Sequence, residues 1–359
     1  MAKFKYRPMD YGYLRIFVWT GFSMLGVALG GVFSYLFIML VVLLAVLDPK
    51  IGRDTRNYPP EMSRQLSAIK FYRYLTFAQV PVQIVCMAFV IWRVTSTDVQ
   101  LYEQIGMILS AGIVFGNIGI NVAHEMIHKE TRLEQTLGGL LLSTVGYSTF
   151  KIEHLYGHHV NVATPLDAST APFGQSLYAF LPKAITRNVY NGFRLQNQRM
   201  RAQGLSPWSI KNELTWWTTL TAFWIACVWV AFGGQGVITY LLLSCVAIIV
   251  LEIVNYIDHY GLLRTQNEDG SYGPVTHHHS WNASDILSNY GLLNLQRHSD
   301  HHAFPRRRYQ ILRHYDDSPQ LPSGYALMIL MALVPPVWKR VMDPLAQQYR
   351  SEVLAVPGN

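Results

Sequence analysis

Residues 105–128 read IGMILSAGIVFGNIGINVAHEMIH. The first part, 105–123, carries no charged residue and is long enough to match the ~30 Å hydrocarbon core of a bilayer. It runs straight into His124-Glu125-Met126-Ile127-His128. On a helix, residues four apart share a face, so the two imidazoles stack at the end of a membrane span. The fold is therefore expected to be a helical membrane bundle, with its polar chemistry where span meets water.

Working outward, five more apolar runs appear. The spans are expected at about 17–30, 33–46, 75–92, 105–123, 217–232 and 237–256. The first two are separated only by Gly31-Val32, so they read as a hairpin. The class is all-α and polytopic, with six transmembrane helices in one domain covering 1–359. Only 14% of residues are charged, against roughly 25% in soluble domains. Gly112 and Gly116 form a small-xxx-small pair, which suggests close packing of the fourth span on a neighbour. The apolar segment 321–334 is interrupted by Pro322 and Gly324 and closed by Pro335-Pro336, so it reads as a membrane-surface helix and not a seventh span.

Charge sets the expected orientation. The net charge is +7, but Lys and Arg collect in loops beside the apolar runs, which favours membrane topology over nucleic acid as the cause. Lys3, Lys5, Arg7 and Arg15 precede the first span, and Lys50, Arg53, Arg56, Arg64, Lys70 and Arg73 follow the second. The connection after the third span carries only Arg93, and the Phe232-Gly233-Gly234 turn carries none. Both termini and the segments 128–212 and 260–359 are thus expected in the cytoplasm of a multi-pass protein. No short apolar core with a cleavage site follows the basic Met1 to Arg7, so no cleavable signal is expected. Cys86, Cys227 and Cys245 lie inside apolar runs and read as small buried hydrophobes. No CxxC occurs, so the chain has no thiolate iron or zinc site of its own.

Three further histidine clusters join the first. They are His154-Leu155-Tyr156-Gly157-His158-His159, Asp258-His259 at the end of the sixth span, and His298-Ser299-Asp300-His301-His302. His154 and His158 repeat the i, i+4 spacing, and His298, His301 and His302 give i+3 and i+4. Nine imidazoles, His124, His128, His154, His158, His159, His259, His298, His301 and His302, are too many for one ion, which takes roughly four to six ligands. A dinuclear site on the cytoplasmic side is expected. Acids beside the clusters, Glu125, Glu153, Asp258 and Asp300, with Asp167, are candidates to orient the imidazoles by accepting their second N–H. Solvated acids on the cytoplasmic face are the plain alternative. His279 is a candidate tenth ligand or orienting donor, and His314 reads as a surface residue.

His124 to His128 is also a literal H-E-x-x-H, the zinc protease signature. Such a protease needs one further ligand and no more, so seven additional histidines argue against it. Zinc has no redox chemistry, whereas iron with open positions activates O2. Two irons at a membrane surface point to C–H hydroxylation or desaturation of an apolar substrate that dissolves in lipid.

With these residues in view, the chain resembles the bacterial integral-membrane alkane hydroxylases (alkane 1-monooxygenases). The three histidine boxes correspond to 124–129, 153–159 and 295–303. The fourth signature corresponds to 255–261, and 163–167 and 278–282 match as well. The likeness spans roughly 30 to 345. One departure is that the family usually has Glu where Asp258 stands, which puts a bond to His259 in question. The resemblance implies a di-iron cofactor of two iron ions, O2 as oxidant and terminal hydroxylation of medium-chain n-alkanes. It also implies electrons from rubredoxin, reduced by a rubredoxin reductase, and a bacterial inner membrane. A basic surface including Arg306-Arg307-Arg308 is a candidate dock for that acidic carrier. In the family the second span lines the alkyl channel, which makes Met39 and Leu40 the candidate channel residues. Neither is as bulky as Trp, so longer chains are not expected to be blocked there. The competing readings are a methyl hydroxylase of alkyl-aromatics (xylene or cymene type), a fatty-acyl desaturase and a histidine-lined metal transporter.

Overall fold

The computed structural model describes residues 10–355. Lys3, Lys5 and Arg7 of the basic arm lie outside them. All regular elements among the described residues are helical, apart from isolated β-bridges. In chain order the main helices are α1 (Tyr11–Leu29), α2 (Gly31–Ile51), α3 (Lys70–Val94) and α4 (Leu101–Ile127). There follow α5 (Arg132–Thr144), α6 (Leu177–Ala202) and α7 (Glu213–His259). The chain ends with α8 (Ile286–Gly291), α9 (His298–Ala303), α10 (Tyr325–Ala332) and α11 (Pro335–Ala355).

Helices α1, α2, α3, α4 and α7 are each long and apolar enough to cross a membrane. α7 has 47 residues, about 70 Å if straight, more than twice what one crossing needs. It breaks at Gly233, with φ 64° and ψ −162°, between the expected fifth and sixth spans. Gly30, between α1 and α2, has nearly the same backbone, φ 67° and ψ −160°. Both reversals use a left-handed φ that glycine adopts at little cost. α10 is eight residues, about 12 Å, too short to span. α10 and α11 are bent by 119° at the Pro335-Pro336 step.

α4 is the centre of the bundle: 72% of its apolar window is buried, against 33% and 28% for α1 and α2. The glycine pair explains part of this. A Cβ on Gly112 would lie 2.6 Å from Val246 Cβ, and one on Gly116 2.7 Å from the Ala247 carbonyl oxygen. α4 thus packs backbone-close on the second half of α7, and the two helices end together. At their other end, Glu103 accepts from the Gln100 amide at 2.8 Å and from the Gly31 amide. One carboxylate therefore caps α4 and fixes the α1–α2 turn.

The outer faces of the spans are apolar and open, as at Val230, Val85 and Leu25. Such a surface suits lipid and not water. Cys86 is buried as expected, but Cys227 and Cys245 are exposed on α7. Lipid is as apolar as a core, so composition alone does not tell the two environments apart.

Candidate metal centre

The nine histidines converge at the shared end of α4 and α7. They divide into two groups: His124, His128, His154, His159 and His301 in one, and His158, His259, His298 and His302 in the other. Within each group the available ring nitrogens lie within 4.8 Å of one another. In the first group Nε2 of His154 is 3.0 Å from Nε2 of both His128 and His159, and His159 to His301 is 3.2 Å. In the second, His302 Nε2 is 3.0 Å from His298 and 3.2 Å from His158. Two imidazole nitrogens about 2.1 Å from one ion, about 90–109° apart, sit about 3.0–3.4 Å from each other. The observed separations match. Nε2 of His124 and of His259 are buried with no hydrogen-bond partner, which is costly unless an ion completes them. The donor set therefore fits metal binding in both groups.

The division overturns one expectation. His154 and His158, spaced i, i+4, do not serve the same group; His154 is joined by His159 instead. The cause is a π turn over His154–His158, in which the His159 amide donates to the His154 carbonyl, five residues back. The wider turn brings i and i+5 onto one side and sends i+4 to the other. α9 is split as well. On an ideal helix His302 lies about +40° and His301 about −60° from His298, so the helix edge points between the groups. A second π turn, Phe115–Ile120, interrupts α4 just before His124.

Burial, reinforced by neighbouring imidazoles, holds His154, His159, His298, His301 and His302 well below the usual imidazole range. They stay neutral, the form that ligates metal.

The expected orienting acids occupy different settings. Asp167 Oδ2 is 2.9 Å from His158 Nδ1 and accepts from Thr170 Oγ1 at 2.6 Å, while Oδ1 accepts from the Ser169 amide at 3.0 Å. Asp258 accepts from Tyr325 on one oxygen, and its other oxygen lies 3.6 Å from His298 Nε2. The Asp258 carboxylate thus sits beside His298. His259 Nδ1 faces the main-chain carbonyl of His279 at 3.4 Å and Ser280 Oγ at 3.5 Å. The His279 ring is turned to the Thr276 amide, 3.0 Å from Nδ1, and belongs to neither group. Glu125 pairs with Lys129 at 2.9 Å. Asp300 is held by Arg307, Tyr315 and the Arg313 amide. Glu153 is buried, and burial followed by repulsion from Asp167 pushes its carboxyl well up. Tyr325, Ser169 and Thr170 carried no signal of their own in the sequence. His314 is buried, not superficial, with Nδ1 2.9 Å from Ser284 Oγ and Nε2 3.2 Å from Asp316.

Of the channel candidates, Met39 is exposed on the outer face of α2 and Leu40 packs against the core. In the arginine run, Arg307 pairs with Asp300 and Arg308 with Glu134, which leaves Arg306, opposite Glu130, at the surface.

Comparison with known proteins adds two findings. Residues 104–331 match the family model described as fatty acid desaturase. The chain is 48% identical over 310 residues to alkane 1-monooxygenase 2 of Pseudomonas aeruginosa, covering 86% of this chain and 82% of that protein. It is 44% identical to alkane 1-monooxygenase 2 of Alcanivorax borkumensis over 88% of this chain and 83% of the other. The hydroxylase component of the xylene/toluene monooxygenase of Pseudomonas putida is 28% identical over 91% and 86%.

Proposed function

The chain belongs to the alkane 1-monooxygenase family, and we propose that it hydroxylates the terminal carbon of medium-chain n-alkanes with O2 at two iron ions. It is a monooxygenase of the oxidoreductase class. The observation that carries the reading is the pair of all-imidazole groups, five and four and all but His159 buried, at the end of two membrane-length helices. Iron bound there would supply redox activation of O2, which zinc cannot.

The chain's residues do the rest. Nine imidazoles would hold the ions. Asp167 accepts the Nδ1 proton of His158, which keeps Nε2 free to ligate. The surrounding helices exclude water, and the alkane enters from the bilayer beside α2 and α4. One oxygen atom goes into the C–H bond; the other leaves as water, with two electrons and two protons supplied. Reduced rubredoxin is proposed as the electron source, with rubredoxin reductase upstream. Its docking would rest on surface cations such as Arg306, whose pair with Glu130 is solvent-exposed, since Arg307 and Arg308 are spent on internal pairs. The basic residues Arg53, Arg56 and Arg73 lie at the histidine end, which supports placing that end and both termini in the cytoplasm, in a bacterial inner membrane.

An alkyl-aromatic methyl hydroxylase remains the second reading, carried by the 28% relative. The higher identity to the alkane enzymes favours the first. A transporter would spread its ligands along a path, whereas these gather at one end. The test supplies octane and p-xylene side by side to enzyme reconstituted with rubredoxin, and counts metal. Octanol with about two irons per chain supports the proposal. Turnover of p-xylene alone, or zinc as the only metal, would overturn it.

A further inference from the structure

Apart from the nine histidines, His277, His278 and Asp317 bring two imidazole nitrogens and a carboxylate oxygen within 4.8 Å of one another. Asp317 Oδ2 lies 3.0 Å from His277 Nε2 and 3.9 Å from His278 Nε2. Two separate loops supply the three groups, and both rings are anchored from behind. The His277 ring stacks on Tyr315 at 4.4 Å and 20°. His278 Nδ1 is 2.8 Å from the Tyr349 hydroxyl, which turns its Nε2 toward Asp317. The two rings lie 4.1 Å apart. The imidazole side chains are about a quarter exposed, at 25% and 29%, and Asp317 is 66% exposed, so an ion can arrive from water and keep waters on its remaining positions.

We propose that His277, His278 and Asp317 form a third metal site, for a divalent transition ion of the Zn²⁺ or Co²⁺ class. Two imidazoles with one carboxylate suit such ions. Ca²⁺ and Mg²⁺ prefer all-oxygen sets. The His277–Asp317 pair alone needs no ion, but it does not explain why His278 presents the same nitrogen to the same oxygen. The site is also tied to the nine-histidine centre. The Tyr315 hydroxyl donates to Asp300 at 3.0 Å, and Asp300 lies on α9 between His298 and His301. An ion here would clamp the 276–281 loop to the turn that braces α9.

The experiment uses untagged full-length protein carrying its resident metal, dialysed against Co²⁺ alone and, separately, Zn²⁺ alone. The expected result is one ion per chain beyond the resident set, with the resident iron unchanged. Asp317→Asn and His278→Ala should each weaken that extra ion by about a hundredfold or more, since losing even an outer-shell partner costs 10–100-fold. Asp317 is exposed, so its substitution leaves folding intact. Uptake of no extra ion at about millimolar Co²⁺ and Zn²⁺ would overturn the site, as would both variants binding as tightly as the parent.

Discussion

Asp167→Asn tests how the four-histidine group is held. The native carboxylate accepts three times: from the His158 ring, the Thr170 hydroxyl and the Ser169 amide. An amide has one acceptor and one donor end. If its oxygen stays on Ser169, its NH2 faces His158 Nδ1, which must then accept. The proton moves to Nε2, and that nitrogen can no longer bind a metal. If the amide flips, its NH2 meets the Ser169 N–H, and a buried donor is left unsatisfied at a cost of about 1–3 kcal/mol. At 1.4 kcal/mol per decade, that is roughly a 5- to 150-fold loss. Iron retention after dialysis against a weak chelator and alkane turnover should both fall within that range, with the protein still inserted in membranes. Iron retention and turnover both within about twofold of the parent would refute the hydrogen-bond logic.

Gly116→Val places a Cβ 2.7 Å from the Ala247 carbonyl and 2.9 Å from Val250 Cβ. Overpacking of this kind costs about 1–3 kcal/mol, so the midpoint of thermal unfolding in detergent should drop and iron should be lost earlier. An unchanged midpoint would show that α4 and α7 do not need this approach. Leu40→Trp adds bulk where α2 packs on the core and should shorten the range of alkanes accepted; an unaltered product profile from octane to hexadecane would remove α2 from the channel.

Much of the fold was legible because lipid imposes simple demands. A run such as 105–123 has to be a helix, and its length sets where it ends. The gathering of the nine histidines was legible because nine imidazoles beside apolar spans have few other uses. Their sharing-out was not. A 3.6-residue period puts His154 with His158, and nothing in His154-Leu155-Tyr156-Gly157-His158 announces a π turn. Adjacency in sequence also misled on the acids. Glu125 and Asp300 touch histidines along the chain, yet their carboxylates turn to Lys129 and Arg307. Asp167, nine residues from His158, makes the contact. For His259 the facing group is a main-chain carbonyl, which no side-chain pattern can reveal. The surface expectation for His314 failed similarly, because its burial depends on Ser284 and Asn282, distant in sequence.

The π turn and the edge-on α9 have a consequence for assembly. Each of these two segments gives ligands to both groups: His154 and His159 to one and His158 to the other, His301 to one and His298 and His302 to the other. An ion settling in either group would therefore fix the backbone that presents three of the histidines of its neighbour, three of five in one group and three of four in the other. The ordering cost is met once, by the first arrival, and the second finds a prepared cage. Loading should be positively cooperative, with the half-filled protein scarce at any iron concentration. A defect in one group, such as a lost hydrogen bond at His158, would empty both. Both groups would then fill together or stay empty together.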